Sequence, residues 1–282
     1  MGTRELIWSI ITLSEKELRR FMRIWVQTLV PPAVTTSLYF VIFGSLIGPR
    51  IGAMDGFDYI QFMIPGLIML AVITAAYSNV VSSFYGVKFQ RAIEELLISP
   101  MPNWAILFGY VTGGVARGVM IGVIVFLVSL IFYPNFEIEN YGLTILVLFL
   151  TSIMFSLMGF INAVYADSFD DIAVIPTFVL TPLIYLGGVF YSINILPDIW
   201  RSISLANPML YVVNTFREGM LGSSDVSIPL ALGMMIGFII LFTTRSGKFI
   251  DKIFYFVLPF FLVMEKVYIC LHNIFFVVAL ID

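Results

Sequence analysis

Six apolar runs, at about 28–48, 59–85, 104–132, 141–166, 172–191 and 227–244, constrain this chain more than any other feature. Each is long enough to cross a hydrocarbon layer of ~30 Å, which takes about 20 helical residues. With 60% hydrophobic and 12% charged residues, and 27 phenylalanines among 282 positions, a soluble domain could not hide so much apolar surface. The expected fold is an all-α polytopic membrane protein with six transmembrane helices.

Charge narrows the function. The net charge of −3 is small and the bases are clustered by segment, so nucleic acid is not an expected partner. The single Cys270 excludes an intramolecular disulfide, and the lone His272 excludes a His-rich metal cluster; no metal site is expected. The first 25 residues are amphipathic, so a secretory signal is not expected there.

The bases also set the orientation. Lys and Arg fall at 4, 16, 19, 20 and 23 before the first span, at 88 and 91 between the second and third, and at 245, 248 and 252 after the sixth. Both ends and the loop 86–102 are therefore expected in the cytoplasm. The acidic loop with Asp167, Asp170 and Asp171 also falls inside by counting, which the small weight of acids in that rule tolerates. Residues 1–27 form an amphipathic segment: Ile7, Ile10, Ile11, Leu18, Phe21, Met22 and Trp25 share one face, and Glu15, Lys16, Arg19, Arg20 and Arg23 lie largely on the other. Such a helix is expected to lie flat in the headgroup layer.

The loop 86–102 contains a short two-faced helix pattern, placed over 87–100. Phe89, Ile93, Leu96 and Leu97 repeat at helical spacing, Gln90, Arg91, Glu94 and Glu95 occupy the other side, and Pro100 and Pro102 end it. A short helix of this kind on the charged side of a membrane protein is shaped for a partner. The third span carries Gly109, Gly113, Gly114, Gly118 and Gly122, small-residue spacings that let another helix approach closely. Arg117 lies near its middle and has two readings: a residue that lines a pathway or clamps a carboxylate across the fold, or one half of a buried ion pair that holds helices together.

Residues 192–226 are too long and too apolar for a simple turn. Two short outer re-entrant helices, over 195–222, fit better. The first begins near Pro197; the second begins at Asn207 and Pro208, a capping residue followed by proline, carries Tyr211 and Arg217, and stops near Gly222. The apolar tail, 248–282, is interrupted by Glu265 and Lys266. It reads either as a seventh span that buries both charges or as two surface pieces that avoid doing so.

No catalytic residue is proposed. A Gly-x-x-x-x-Gly-Lys-Ser/Thr loop is missing, so the chain is not expected to bind nucleotide itself. Glu94 and Glu95 are helix neighbours about 100° apart and do not converge on one atom. A gradient-driven transporter would want intramembrane carboxylates or repeated halves, and a lipid-modifying enzyme a converging His, Asp or Ser set; neither is evident.

The order of short motifs carries a family resemblance. Leu96-Leu97-Ile98-Ser99-Pro100-Met101-Pro102, then Trp104, Leu107, Gly109, Gly113-Gly114 and Gly118, resembles the signature segment of type-2 ATP-binding-cassette (ABC) exporter permeases. Gly187-Gly188-Val189-Phe190-Tyr191, Leu196-Pro197, Asn207-Pro208, Tyr211 and Phe216-Arg217 look like that family's second recurring region, and the likeness covers roughly 5–247. The resemblance implies a homodimeric bacterial inner-membrane subunit without its own ATPase site. Two copies of a cytoplasmic ATPase would bind ATP and Mg and grip a coupling helix at Phe89, Arg91, Ile93, Glu94, Glu95, Leu96 and Leu97. The cargo implied is a drug-like amphiphile, a lipid or a lipid-linked glycan.

Overall fold

The computed structural model describes residues 2–246; both readings of the apolar tail lie outside the described residues. The chain opens with α1 (Thr3–Arg23), with Glu5 in its first turn, where its carboxylate accepts from the Gly2 amide (2.9 Å), and Arg20 and Arg23 in its last. One non-helical residue, Ile24, separates it from α2 (Trp25–Tyr39). α2 continues through a π-helical stretch (Phe40–Ile47) into α3 (Gly48–Ile51), giving one apolar helix over Trp25–Ile51. A two-stranded hairpin follows, Ala53–Met54 against Phe57–Asp58, turning at Asp55 (φ 50) and Gly56 (φ 88). Two central residues with positive φ define the tight hairpin turn for which Asp-Gly is a standard sequence.

The chain returns as α4 (Tyr59–Phe89), the axis of the molecule, buried along most of its length. After a turn comes α5 (Ile93–Ile98), then α6 (Asn103–Phe132) and α7 (Tyr141–Tyr165), both packed along α4. Helices in lipid gain no hydrophobic drive from meeting one another, so close approach has to supply the attraction. The glycines of α6 provide it. A Cβ on Gly109 would stand 2.5 Å from Leu13 of α1, one on Gly113 2.7 Å from Glu17, one on Gly114 2.5 Å from Val80 of α4, and one on Gly118 2.8 Å from Ser152 of α7. One stripe of small residues therefore seats three helices, as its spacing predicts.

Where the fifth of the six spans is expected, at 172–191, helix runs over 169–185. It consists of α8 (Phe169–Val174), a π-helical stretch (Ile175–Leu180) and α9 (Thr181–Tyr185). Pro176 has no N–H to offer Ile172, whose carbonyl instead accepts from Asn162 Nδ2 (3.4 Å). The run gives way to a turn at Gly187 and Gly188 (φ 76), pressed so close to α4 that a Cβ on Gly66 would meet the Val189 carbonyl at 2.6 Å. Five helices among the described residues are long and apolar enough to cross a membrane: Trp25–Ile51, α4, α6, α7 and α12 (Ile228–Ser246).

Both short helices of the 192–226 region form. α10 (Asp198–Leu205) follows Pro197, and α11 (Pro208–Leu221) is capped by Asn207, whose Oδ1 accepts from the Met209 amide (2.9 Å). Gly222 ends it in the left-handed conformation (φ 70). α11 is buried against α4 and α7 and forms part of the core.

Candidate functional site

The loop read as one helix over 87–100 is two elements. α4 carries on to Phe89, and the chain then turns at Gln90–Ala92 with Arg91 in the left-handed region (φ 58). α5 has only six residues, ending where the Ser99 hydroxyl donates to the Leu96 carbonyl (2.6 Å). Phe89 and Ile93 therefore do not share a face. Ile93 is buried and Leu96 is half-buried in the protein's own core. Phe89 and Ile98 are turned outward, each more than 60% exposed, accompanied by exposed Arg91 and Glu95, with Glu94 half-buried. Leu97 lies in the same short helix.

This elbow is tied to the acidic loop. Lys88 Nζ donates to the carbonyls of Val164 (2.9 Å) and Ala166 (2.6 Å) and stands 3.7 Å from the exposed Asp167 carboxylate. Phe89 meets Phe169 edge-on, with ring centroids 4.9 Å apart. The acid-rich and base-containing loops therefore sit at one end of the bundle, as counting spans requires. Asp171 caps α8, accepting from the Asp167 and Ser168 amides (2.9 Å each), which hold its carboxyl below the usual aspartate range.

Further along α4, a cleft of about 350 Å³ opens between α2, α4, α6 and α9. Leu67, Leu70, Ala71, Thr74, Ala75 and Ser78 form its α4 wall, one helical face at spacings of three and four. Pro31, Pro32, Thr35 and Thr36 line it from α2, Thr181 from α9 and Arg117 from α6. Its far end is closed by Tyr39 and Tyr185, whose hydroxyls are 2.8 Å apart, backed by Phe190 and Phe43. Gly118 packs on Ala76, which sets Arg117 at the depth of Thr74 and Ser78, towards the elbow end. Among the described residues Arg117 makes no ion pair, and its Nε is buried without a hydrogen-bond partner. Of its two readings, the ion pair does not form among the described residues.

The structure adds a buried acid that the sequence reading did not single out. α1 has three faces, not two. Ile7, Trp8, Ile11, Leu18 and Met22 are exposed and apolar, the charged side faces outward, and Leu13, Glu17 and Phe21 are buried against the core. Glu17 accepts from the Ser83 hydroxyl (2.6 Å) and pairs with Arg20 (3.3 Å), whose guanidinium also reaches the Asn79 carbonyl and side-chain oxygen (2.9 Å each). So α1 is clamped onto α4 and α6 along one face. The hollow for Glu17 is Gly113.

Arg217, assigned to the outer motif, is almost wholly buried. It donates to Asn214 Oδ1 (3.1 Å) and the Gly188 carbonyl (2.5 Å), and its guanidinium carbon lies 3.9 Å from the centroid of the Phe62 ring. Asn207 Nδ2 donates to the Leu183 carbonyl (2.6 Å) and the Tyr211 hydroxyl to the Leu205 carbonyl (2.9 Å). With Pro208 starting α11, these four residues staple α11 to the 186–192 turn and to α10.

The family model described as "ABC-2 type transporter" matches residues 9–221, which include the elbow, the cleft and the Arg217 staple. The chain belongs to the ABC-2 transporter family. It is 54% identical over 248 residues to the protein named inner membrane transport permease YadH of Escherichia coli strain K12, covering 88% of this chain and 96% of that protein. More distantly, this ABC-2 chain is 23% identical over 205 residues to nodulation protein J of Rhizobium leguminosarum bv. viciae, 72% of this chain and 78% of that one. Against nodulation protein J of Rhizobium meliloti strain 1021 the figures are 22% over 230 residues, 81% and 87%.

Proposed function

We propose that this ABC-2 chain is the permease subunit of an ABC exporter in a bacterial inner membrane, as the name of the YadH relative suggests. It works as a homodimer with two copies of a cytoplasmic ATPase that binds ATP and Mg. Its N-terminus lies in the cytoplasm, 172–191 serves as a short fifth span, and α10 with α11 re-enters from the outer side. The cargo is an amphiphilic drug, a lipid or a lipid-linked glycan.

One observation carries this reading. A single continuous helix, α4, has the cleft wall at Leu67 to Ser78 and the exposed elbow at its end, roughly 16 Å beyond Ser78 at 1.5 Å per residue. A push on Phe89, Arg91, Glu95 and Ile98 moves the wall of the cleft as a rigid body. Ile93 and Leu96 transmit that push from inside, because they fix α5 to the core. The five long helices contain no Asp or Glu, which disfavours a carrier driven by protons through the membrane.

The test is a detergent pull-down of the tagged chain with identification of its partners and measurement of ATP hydrolysis. An ATPase should co-purify, and Glu95→Arg or Ile98→Asp should abolish its capture while leaving the permease in the membrane. Leu96→Asp does not serve, since it places a charge in the core. A chain that purifies alone under mild conditions would favour the gradient-driven alternative.

A further inference from the structure

The cleft has a polar end and an apolar end, and the polar end holds a cation that no described residue neutralises. A guanidinium near the middle of a membrane helix is costly even by the milder scales, and such residues are usually paired. The other arginines enclosed by this fold have polar partners: Glu17 pairs with Arg20, and Arg217, which has no carboxylate within 4.0 Å among the described residues, donates to Asn214 and to the Gly188 carbonyl. Arg117, facing the cleft, makes neither an ion pair nor a hydrogen bond among the described residues. Beside it, the Ser78 hydroxyl makes no hydrogen bond among the described residues, whereas Thr74 and Thr181 donate to carbonyls of their own helices (2.8 Å each). Beyond these hydroxyls, Leu67, Leu70 and Ala71 offer an aliphatic wall leading to the Tyr39–Tyr185 closure.

We infer that Arg117 and Ser78 form an anion-recognising subsite, and that the ligand of the cleft is an amphiphile with a phosphate or carboxylate head and an aliphatic chain. The fork of N–H groups on a guanidinium matches the two oxygens of such a head, and a partly desolvated cation binds an anion more strongly than a neutral polyol. The chain lies along Leu67 and Leu70. This assignment names the cargo class of the permease and rests on that reading.

The test uses the full chain with its co-purified ATPase, in phosphatidylcholine nanodiscs, and measures binding of tritiated dodecyl phosphate by scintillation proximity. Wild type should bind saturably. Arg117→Gln should weaken binding roughly tenfold or more, the order of a lost hydrogen bond to a charged group. Arg117→Lys, which keeps the charge and loses the fork, should fall between the two. Dodecyltrimethylammonium should not displace the probe, and neither should inorganic phosphate, which has the charge without the chain.

Equal binding by wild type and Arg117→Gln overturns the assignment, as does ready displacement by the cationic amphiphile. Displacement by inorganic phosphate at the same concentration overturns the amphiphile part and leaves a site for free anions. Should Arg117→Gln fail to reach the nanodisc as a single species, Ser78→Ala decides in its place: a loss of a few fold supports the subsite, and unchanged binding overturns it. ATPase capture is scored separately. Capture without dodecyl phosphate binding defeats this inference alone, and Arg117-dependent binding without capture defeats the permease reading alone.

Discussion

Arg217 and Arg117 are both arginines enclosed by the helices of one bundle, yet they are treated in opposite ways. Around Arg217 the fold supplies two acceptors and an aromatic face, and the side chain is wholly enclosed by α11, α4 and the 186–192 turn. Around Arg117 it supplies hydroxyls, aliphatic carbons and open space. The contrast teaches how to sort charges in a membrane protein. A charge whose partners come from the same chain holds that chain together, and a charge left without them is available to something that arrives.

The sharpest way to break this comparison is Arg217→Leu. The substitution strands the Gly188 carbonyl and removes one partner of Asn214, which still accepts from the Asp225 amide at 3.3 Å. A stranded buried acceptor costs about 1–3 kcal/mol, and loss of the cation over Phe62 adds to it, so a destabilisation of about 3 kcal/mol is expected. Tryptophan fluorescence during thermal unfolding in detergent would register the lower midpoint. Arg217→Lys should lose less. A midpoint equal to wild type would mean that the staple contributes nothing.

Glu17 sharpens the comparison from the acidic side. Glu17→Gln keeps an oxygen for the Ser83 hydroxyl but removes the charge facing Arg20, for an expected cost of about 1–2 kcal/mol, limited because Arg20 is partly in solvent. The effect should be local to α1. Ser14 and Thr112 hydroxyls are 3.0 Å apart across the α1–α6 contact, so cysteines at both positions, with Cys270→Ser, report it by disulfide formation. Crosslinking should be slower with Glu17→Gln; an unchanged rate would show that Leu13 and Phe21 hold the helix unaided.

Much of the frame was legible because it follows from local chemistry. Apolar length announced the long helices, Asn207-Pro208 and Gly222 marked both ends of α11, and glycine spacing on α6 announced a packed face. Asp55-Gly56 carried a hairpin signal of equal quality that went unused. What failed to show was tertiary. Glu17 looks like one more charge on a water-facing side, and only the hollow at Gly113, far along the chain, makes room to bury it. The helical period from Phe89 to Leu97 runs unbroken through Arg91, so no local rule announces a positive φ there and the elbow reads as one helix. At 172–191 the hydropathy is that of a span, but the turn at Gly187-Gly188 ends the helix early. Of the candidate site, the residue types were legible, and their division into inward and outward side chains was not.

The smallest effect on stability, and the one most specific to the contrast, is expected at Arg117. Arg117→Leu removes a cation that no described residue neutralises and fills its place with carbon, so thermal stability should stay within about 1 kcal/mol of wild type or rise. The same fluorescence midpoint measures it. A protein that retains a destabilising charge at no benefit to its fold has kept it for another use, which is the pattern expected where function and stability pull apart. A fall as large as that of Arg217→Leu would reverse this: Arg117 would then have a structural partner, and the charge would hold the protein together instead of receiving cargo.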